Sequence, residues 1–382
     1  MDEFLMETIL LVTNIPTPYR LPLFNRLSVR LNDKGFRLKV VFCEHGYARR
    51  RFELRDESFA FGHEYLDGGT ISDSSDVEKT IFLYRGLWKV LRREHPSRII
   101  VAGFSPATIK TFFWSLLKGT AFYIWSGTIS RGNRNASLHR KILRKALISR
   151  AAGFIAYGSL AKKYLEDLGA DPVRITVANN AVDTDFFSNR TDEIREMQAG
   201  KEPKLFNFIY IGYLVPRKKV DKVIKAAEML SKRRTDFIVT IVGDGESRAA
   251  LEGACAKAGL CGIVRFEGYH QKEDLPAFLA NADAFLFQTG YDIWGLVLNE
   301  AMAAGLPVIA SVNAGATCDL IIDGETGFSA DFDDTVKVVE RMEWLMDNRG
   351  ACKEIGKRAR KYVNRKASLE NATDAFMSAL KI

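Results

Sequence analysis

Cysteine and histidine are scarce in this chain, with five of each among 382 residues. The cysteines are scattered and form no Cys-x-x-Cys pair, so neither a disulfide framework nor a zinc site is indicated, and we expect reduced thiols in a cytoplasmic protein. No apolar run reaches membrane-spanning length, because the nearest candidate, residues 99–127, is interrupted by Lys110 and Lys118. The first seven residues are acidic and lack the pattern of a secretory signal.

The composition is that of an ordinary globular protein, with 47% apolar and 27% charged residues. The length is sufficient for two domains, each with its own core. A net charge of +8 indicates an anionic partner. Nucleic acid, anionic lipid and pyrophosphate ligands all satisfy that requirement, so the charge alone does not choose among them.

Short apolar runs alternate with longer helical patterns, which predicts an α/β fold with mostly parallel sheets. In the first half the predicted strands are residues 9–13, 38–43, 98–102, 122–125, 154–157 and 175–178. In the second half they are residues 206–211, 238–242, 263–266, 284–288 and 308–310. Two similar halves fit two Rossmann-like domains facing across a cleft.

The domain boundaries are inferred from a polar, charged stretch that interrupts the alternation of strand and helix patterns. We interpret residues 189–204 as a linker between a first domain of residues 1–188 and a second of residues 205–365. A basic, irregular segment near residues 361–366 precedes a last helical pattern over residues 369–381.

Residues 290–311 are the most informative stretch. Asp292 lies in a loop after a predicted strand, and Glu300 lies eight positions later inside a helical run, residues 296–304. In an open parallel sheet such a loop lies at the carboxyl end of a strand, where ligands bind. Gly295 allows close approach of the backbone, and the amides that open the helix offer an anion site. Two carboxylates so placed reach two sets of hydroxyls, which predicts a nucleotide-sugar site.

This stretch resembles the Glu-x7-Glu signature of the retaining family 4 glycosyltransferases, which have the GT-B fold. The resemblance covers most of the chain and implies that Asp292 binds the transferred sugar and Glu300 the ribose, with Gly295 and Leu296 also at the donor. It also implies that the final helix, within residues 366–382, packs back on the first domain. Asp292 replaces the usual Glu and is one methylene shorter, which bears on donor preference.

A second segment of the same resemblance carries cations. Gly212 ends a predicted strand, and Arg217 and Lys218 lie in the following loop, where fixed positive charge can stabilise a leaving diphosphate. The family pattern is Gly-Arg-Leu followed by Lys-Gly, but Tyr213 and Lys219 replace its Arg and second Gly. The alternative is a solvated surface loop.

Two further turns resemble the family. Gly243 and Gly245 follow a predicted strand and are expected near the nucleotide, whereas Arg248 occupies the third glycine position of a dinucleotide fingerprint and argues against a nicotinamide enzyme. Tyr269 is expected near the base. The Asp-Thr-Asp at 183–185 matches a structural turn of the family, so no metal is implied.

The first half contributes candidates for the acceptor or a phosphate. Tyr19 and Arg20 follow a proline-stiffened loop, and Ser126 follows a predicted strand at a point where the family often has a histidine or an acid. The proline-rich turn has an equally good structural interpretation.

The stretch from Arg131 to Arg150 has seven Arg or Lys and no acid, with apolar residues at helical spacing. A basic amphipathic helix suits an anionic membrane surface. The alternative is an internal helix whose apolar stripe faces the sheet.

We therefore predict a metal-independent retaining glycosyltransferase without cofactor, transferring a hexose from a nucleotide diphosphate sugar to a saccharide or lipid-linked acceptor in polysaccharide biosynthesis. UDP-glucose is the first choice of donor, followed by UDP-galactose, UDP-N-acetylglucosamine and GDP-mannose. No nucleic acid partner is expected, and membrane attachment would be peripheral. The alternatives are a non-hydrolysing sugar-nucleotide epimerase and an inactive nucleotide-sugar-binding protein.

Overall fold

The chain divides into two compact units. The computed structural model describes residues 6–46, 58–71, 81–130, 138–198, 200 and 205–382. Unit 1 comprises residues 1–182 and 369–382, and unit 2 comprises residues 183–368. The two stretches that build unit 1 are thus separated in sequence by the whole of unit 2.

Unit 1 is built on a parallel sheet. Its strands are β1 (Glu7–Thr13), β2 (Phe36–Phe42), β3 (Gly62–Tyr65), β6 (Arg98–Ala102), β7 (Ala121–Ser126), β8 (Gly153–Ala156) and β9 (Ile175–Val177). Within the described residues their order is β3-β2-β1-β6-β7-β8-β9, with a separate antiparallel pair, β4 (Thr70–Ile71) and β5 (Ile81–Phe82). The middle residues of the central strands, such as residues 9–12 and 99–101, are apolar and buried, as expected for a parallel sheet covered on both faces.

Unit 1 contains α-helices between these strands and one final helix at the end of the chain. They are α1 (Leu21–Asn32), α2 (Leu87–Glu94), α3 (Pro106–Lys118), α4 (Leu138–Arg150), α5 (Ser159–Asp167) and α14 (Leu369–Leu380). The final helix, α14, packs on α1 and on the sheet, with Phe376 in edge contact with Trp125 at 5.3 Å between ring centroids. Arg30 on α1 pairs with Glu370 and Asp374 on α14. This helix therefore completes the core of unit 1.

Unit 2 is a second parallel sheet. Its strands are β10 (Phe206–Ile211), β11 (Phe237–Val242), β12 (Val264–Gly268), β13 (Ala284–Phe287), β14 (Val308–Ser311) and β15 (Phe328–Ala330). Its helices are α6 (Thr184–Met197), α7 (Asp221–Ser231), α8 (Arg248–Lys257), α9 (Leu275–Ala280), α10 (Leu296–Ala303), α11 (Gly315–Leu320), α12 (Thr335–Asp347) and α13 (Arg349–Lys366). The strand order β12-β11-β10-β13-β14-β15 is that of a Rossmann fold, whose direction of winding reverses between β10 and β13.

The structure confirms the predicted α/β architecture, and strands occupy every predicted position. It adds strands that the patterns do not reveal. β3 is polar in sequence (Gly-His-Glu-Tyr) because it lies at the edge of its sheet, and β15 has only three residues.

The structure differs from the interpretation of residues 189–204 as a linker, because most of them are helical. The carboxylate of Asp183 accepts a hydrogen bond from Phe186 N at 3.0 Å and begins α6. Arg360 on α13 donates to both carboxylate oxygens of Asp192, at 2.6 and 2.9 Å. Residues 361–366, expected to be irregular, complete α13. Residues 199 and 201–204 lie outside the described part of the chain.

Arg195 explains why α6 belongs to unit 2. Its guanidinium donates to Ala304 O at 2.7 Å and to the carbonyls of Leu279 and Ala280, each at 3.4 Å. These carbonyls lie at the carboxyl ends of α9 and α10, where backbone acceptors lack partners within the helix. One side chain of α6 therefore holds two helices of the Rossmann unit.

Arg195→Met should lower the free energy of unfolding by about 2–3 kcal/mol, because it leaves half-buried carbonyls without their charged donor. Arg190→Met on the exposed face of the same helix is the matched control and should change it by less than about 0.5 kcal/mol. Urea denaturation of the full chain measures both. If both variants changed the free energy of unfolding by the same small amount, the contacts of Arg195 would not be what holds α6 in unit 2.

Candidate functional site

The switch point of unit 2 brings two loops together at the carboxyl edge of its sheet. One follows β10 and contains Arg217 and Lys218, and the other follows β13 and contains Asp292. Gly290 N donates to Arg217 O at 2.9 Å, and the Arg217 guanidinium donates to Tyr291 O. The loops thus form one continuous surface where ligands of Rossmann folds bind.

Lys218 and Asp292 form an ion pair in this surface. Lys218 Nζ lies 2.5 Å from Asp292 Oδ2, and the two side chains are only 12% and 21% exposed. Burial raises the pKa of Asp292, but Lys218, Arg217 and the Trp294 amide together outweigh it and hold the pKa below its usual range. The sequence placed both residues in the site without indicating that they pair.

Backbone contacts hold Asp292 from both sides. Asp292 N donates to Asn313 O at 3.1 Å, and Gly315 N donates to Asp292 O at 3.2 Å. Trp294 N donates to the carboxylate at 3.3 Å, and the Trp294 indole donates to Asn299 Oδ1 at 3.0 Å. The carboxylate is therefore fixed before any ligand arrives.

Glu300 lies in α10, as predicted, in a different electrostatic environment. Burial raises its pKa to about 7, against the attraction of the Lys272 ammonium, which lowers it. Gly295 begins the helix at φ +99°, where an added Cβ would overlap the ring of Phe287. The helix start is thus set by a packing requirement that only glycine meets. Leu296 is the first residue of α10 and is half-buried.

The glycines after β11 also have a packing function. A Cβ at Gly243, whose φ is +147°, would overlap the carbonyl oxygen of Gly212, and one at Gly245 would approach the carbonyl of Leu214. These glycines therefore seat the β11 loop on the β10 loop. Their role in nucleotide binding stays a prediction. So does that of Tyr269, whose hydroxyl is 3.2 Å from Gln271 Oε1.

Sequence reasoning missed Tyr210 and Lys272. Tyr210 is the penultimate residue of β10, and its buried hydroxyl has no hydrogen-bond partner among the described residues. Burial and the Asp292 charge raise its pKa, against Arg217. In the sequence it looks like a core residue of an apolar strand. Lys272 acts on Glu300 from a segment whose proximity only the fold reveals.

Unit 1 has its own polar cluster after β1. Arg20 donates to Thr13 Oγ1 at 3.0 Å and to the Tyr157 hydroxyl at 2.9 Å, and its guanidinium carbon lies 4.8 Å from the centre of the Trp125 ring. Burial raises the pKa of Tyr157, against the Arg20 charge. Tyr19 lies beside it, with its ring centre 5.9 Å from the same guanidinium carbon. Arg20 is thus a cation held in one orientation.

Ser126 has a structural contact. It is 1% exposed, and its hydroxyl accepts a hydrogen bond from Thr128 N at 3.2 Å. The hydroxyl therefore fixes the turn after β7, and its role toward an acceptor stays a prediction.

The described residues contain no group of three or more His, Cys, Asp or Glu side chains able to hold a metal ion. No helix in the same part of the chain is long and apolar enough to cross a membrane.

The family model for glycosyl transferases group 1 matches residues 191–362, almost the whole of unit 2. Unit 2 therefore carries the sequence similarity of this chain to that family. The glycogen synthase of Mycobacterium tuberculosis strain H37Rv is 28% identical over 204 residues, or 53% of this chain and 47% of that protein. A GDP-mannose-dependent alpha-(1-6)-phosphatidylinositol monomannoside mannosyltransferase of Mycolicibacterium smegmatis is 34% identical over 161 residues, or 39% and 41%. The chain spans roughly half the length of such relatives.

Among solved structures, Anabaena HepE in complex with UDP and glucose has a TM-score of 0.75 at 17% identity and covers 98% of this chain and 99% of that one. At that identity the likeness establishes the fold alone, and it confirms the predicted GT-B fold.

The raised pKa of Glu300 gives a pH test of the unliganded site. Because the folded-state pKa exceeds that of the unfolded chain, the protonated form favours folding, and this contribution is lost as pH rises from about 4.5 to about 7. Glu300→Gln stays neutral, so its stability relative to the parent should increase between pH 5 and pH 8. Denaturation midpoints measure this, with the exposed Glu325→Gln as control. A difference from the parent that is constant with pH would contradict the assignment.

Proposed function

We propose that this chain is a retaining glycosyltransferase that moves a hexose from a nucleotide diphosphate sugar to a saccharide or lipid-linked acceptor. The observation that carries the proposal is the Lys218–Asp292 pair beside Arg217, at the switch point of a group 1 glycosyltransferase unit. It places two cations and one fixed carboxylate within a single ligand-binding edge.

Each of these three charged side chains has a specific role in the proposed reaction. Arg217 and Lys218 stabilise the charge that develops on the diphosphate as the bond from the sugar C1 to its oxygen breaks. Asp292, held ionised, accepts hydrogen bonds from hydroxyls of the transferred sugar and orients its ring. The acceptor oxygen bonds to C1 on the face that the diphosphate leaves. The acceptor proton passes to the departing diphosphate oxygen, so the enzyme needs no nucleophile of its own.

The charges of Lys218 and Asp292 neutralise each other before the donor binds. Lys218 is then held by Asp292 and is spared the cost of an unpaired, nearly buried ammonium. A diphosphate offers Lys218 a second anion, while sugar hydroxyls offer Asp292 neutral donors. Donor binding thus gives both members of an existing ion pair additional partners, and it does not require the protein to bury two further charges.

Glu300 is assigned to the ribose. A carboxyl with a pKa near 7 is present in both forms at neutral pH, and hydroxyls that donate to it favour the ionised form. Donor binding should therefore lower its pKa and release a fraction of a proton.

The acceptor is assigned to unit 1. Arg20 is the fixed cation of that unit's carboxyl edge, and its partners Tyr157 and Thr13 orient it. A cation in that place suits an acceptor that carries a phosphate or diphosphate, as a lipid-linked saccharide does.

Lys218→Ala should slow transfer by about 10²–10³-fold through loss of one preorganised charge. Asp292→Asn should reduce transfer sharply while UDP affinity stays nearly constant, because the amide keeps the shape but loses the charge that the sugar hydroxyls need. Initial rates and calorimetric titration with UDP measure the two effects. Lys225→Ala, an exposed lysine of α7, is the control and should leave both unchanged.

Two outcomes would contradict this assignment. An Asn variant that loses UDP binding together with transfer would move Asp292 from the sugar to the nucleotide. Tight donor binding by the parent without turnover on any saccharide or lipid-linked acceptor would favour an inactive binding protein.

UDP-glucose is proposed as the donor. HepE, which shares the fold, has been crystallised with UDP-glucose, whereas the M. smegmatis relative is named as GDP-mannose-dependent. A thermal-shift screen of UDP and GDP sugars with a chelator present should show the largest stabilisation with UDP-glucose, because a ligand that binds only the folded state raises its stability. A larger shift with GDP-mannose would replace the donor, and a shift that needs added Mg²⁺ or Mn²⁺ would overturn metal independence.

A further inference from the structure

The outer face of α3 and α4 in unit 1 is apolar. The two helices pack against each other, and six large apolar side chains on them are between 42% and 72% exposed: Phe113, Leu116, Leu117, Leu138, Ile142 and Leu143. Exposed apolar side chains are ordinary when scattered, but such a group on two adjacent helices indicates an interaction surface. We call these six residues the α3/α4 face.

The chain around this face carries positive charge only. In the sequence no Asp or Glu occurs between Glu94 and Glu166, a stretch that includes both helices. Arg140, Lys141 and Lys145 on α4 are exposed and form no ion pair among the described residues. Within this stretch of sequence, the apolar side chains are thus accompanied by cations and by no acidic residue.

The alternative interpretation, with the apolar stripe of α4 packed on the sheet, is wrong for most of the helix. Only Leu147 and Ile148 of α4 are buried. Two arginines hold the helix in place: Arg144 donates to the Tyr164 hydroxyl, and Arg150 donates to Ser115 O at 3.0 Å. The helix is therefore fixed at its carboxyl end and along one side, and its apolar stripe faces outward. Residues 131–137 lie outside the described residues.

We propose that the α3/α4 face docks this chain on a bilayer that contains anionic lipids. Leucine, isoleucine and phenylalanine side chains enter the boundary between headgroups and acyl chains, while the lysines and arginine beside them contact the anionic headgroups. The charge pattern favours lipid over protein, because lysine is depleted at protein interfaces. It also favours lipid over nucleic acid, because aliphatic side chains gain little from a phosphate backbone.

Docking of this kind is independent of which nucleotide sugar unit 2 binds. It would hold unit 1, which carries Arg20, at the surface where a lipid-linked acceptor presents its phosphate. That consequence rests on the proposed function, whereas the docking itself does not.

The experiment is co-sedimentation of the full chain with vesicles of phosphatidylcholine, with and without phosphatidylglycerol. Binding is expected only to the anionic vesicles and should weaken as salt screens the surface charge. The double variant Lys141→Gln/Lys145→Gln should reduce the partition coefficient by about tenfold or more. Lys225→Gln/Lys232→Gln, at a residue of α7 and at the residue that directly follows this helix in unit 2, makes the same change in net charge and should bind as the parent does.

The apolar part has its own variants. Leu117→Ser/Ile142→Ser should also weaken vesicle binding, whereas Val173→Ser, at a residue 92% exposed elsewhere in unit 1, should not. Thermal shift with UDP-glucose checks that each variant is folded and separates failure of docking from failure of donor binding. Equal binding of parent and face variants would overturn the proposal, as would binding to RNA or to an acidic protein without binding to anionic vesicles.

Discussion

The ion pair between Lys218 and Asp292 is the interaction on which the candidate site depends. Its members lie 74 residues apart and meet because β10 and β13 are neighbours at the reversal of the sheet. Removing two charges from water is costly unless their geometry is held. The loops supply that geometry: Gly290 bonds to the Arg217 backbone, and Gly243 lets the β11 loop lie against Gly212. Loop packing in unit 2 therefore serves to support one buried pair.

The second carboxyl group at this edge of the sheet, that of Glu300, has its pKa shifted in the opposite direction to that of Asp292. Asp292 has two cations and a backbone amide nearby and stays ionised. Glu300 is partly buried, and among the described residues the Lys272 ammonium opposes the effect of that burial on its pKa. Eight residues of sequence thus separate a permanent charge from one that titrates near neutrality. This contrast supports different ligands for the two groups. A permanently ionised Asp292 can accept hydrogen bonds from sugar hydroxyls at any neutral pH, whereas Glu300 can release its proton to solvent when ribose hydroxyls donate to it.

Much of this fold was predictable because its determinants are local. Apolar runs gave the strands, and glycines at strand ends gave the loops that hold Arg217, Lys218 and Asp292. What the sequence concealed depends on distant partners. Residues 184–197 contain many charged side chains, which makes this packed helix resemble a linker in the sequence. In the structure Arg195 donates to carbonyls at the ends of α9 and α10, and Asp192 pairs with Arg360 of α13. The pairing of Lys218 with Asp292 and the buried hydroxyl of Tyr210 likewise follow from strand order, which no local pattern reveals.

Helix α4 shows the same limit from the other side. Periodicity establishes that one side of a helix is apolar, but it does not establish what covers that side. Other helices of unit 2 cover the buried side of α6. In α4 only Leu147 and Ile148 are buried, and the rest of its apolar side is not covered by the described residues of unit 1. An exposed apolar stripe costs stability in water unless another phase receives it. The cations that border the stripe complement negative charge, and these two features are the basis for the proposed docking on an anionic lipid surface.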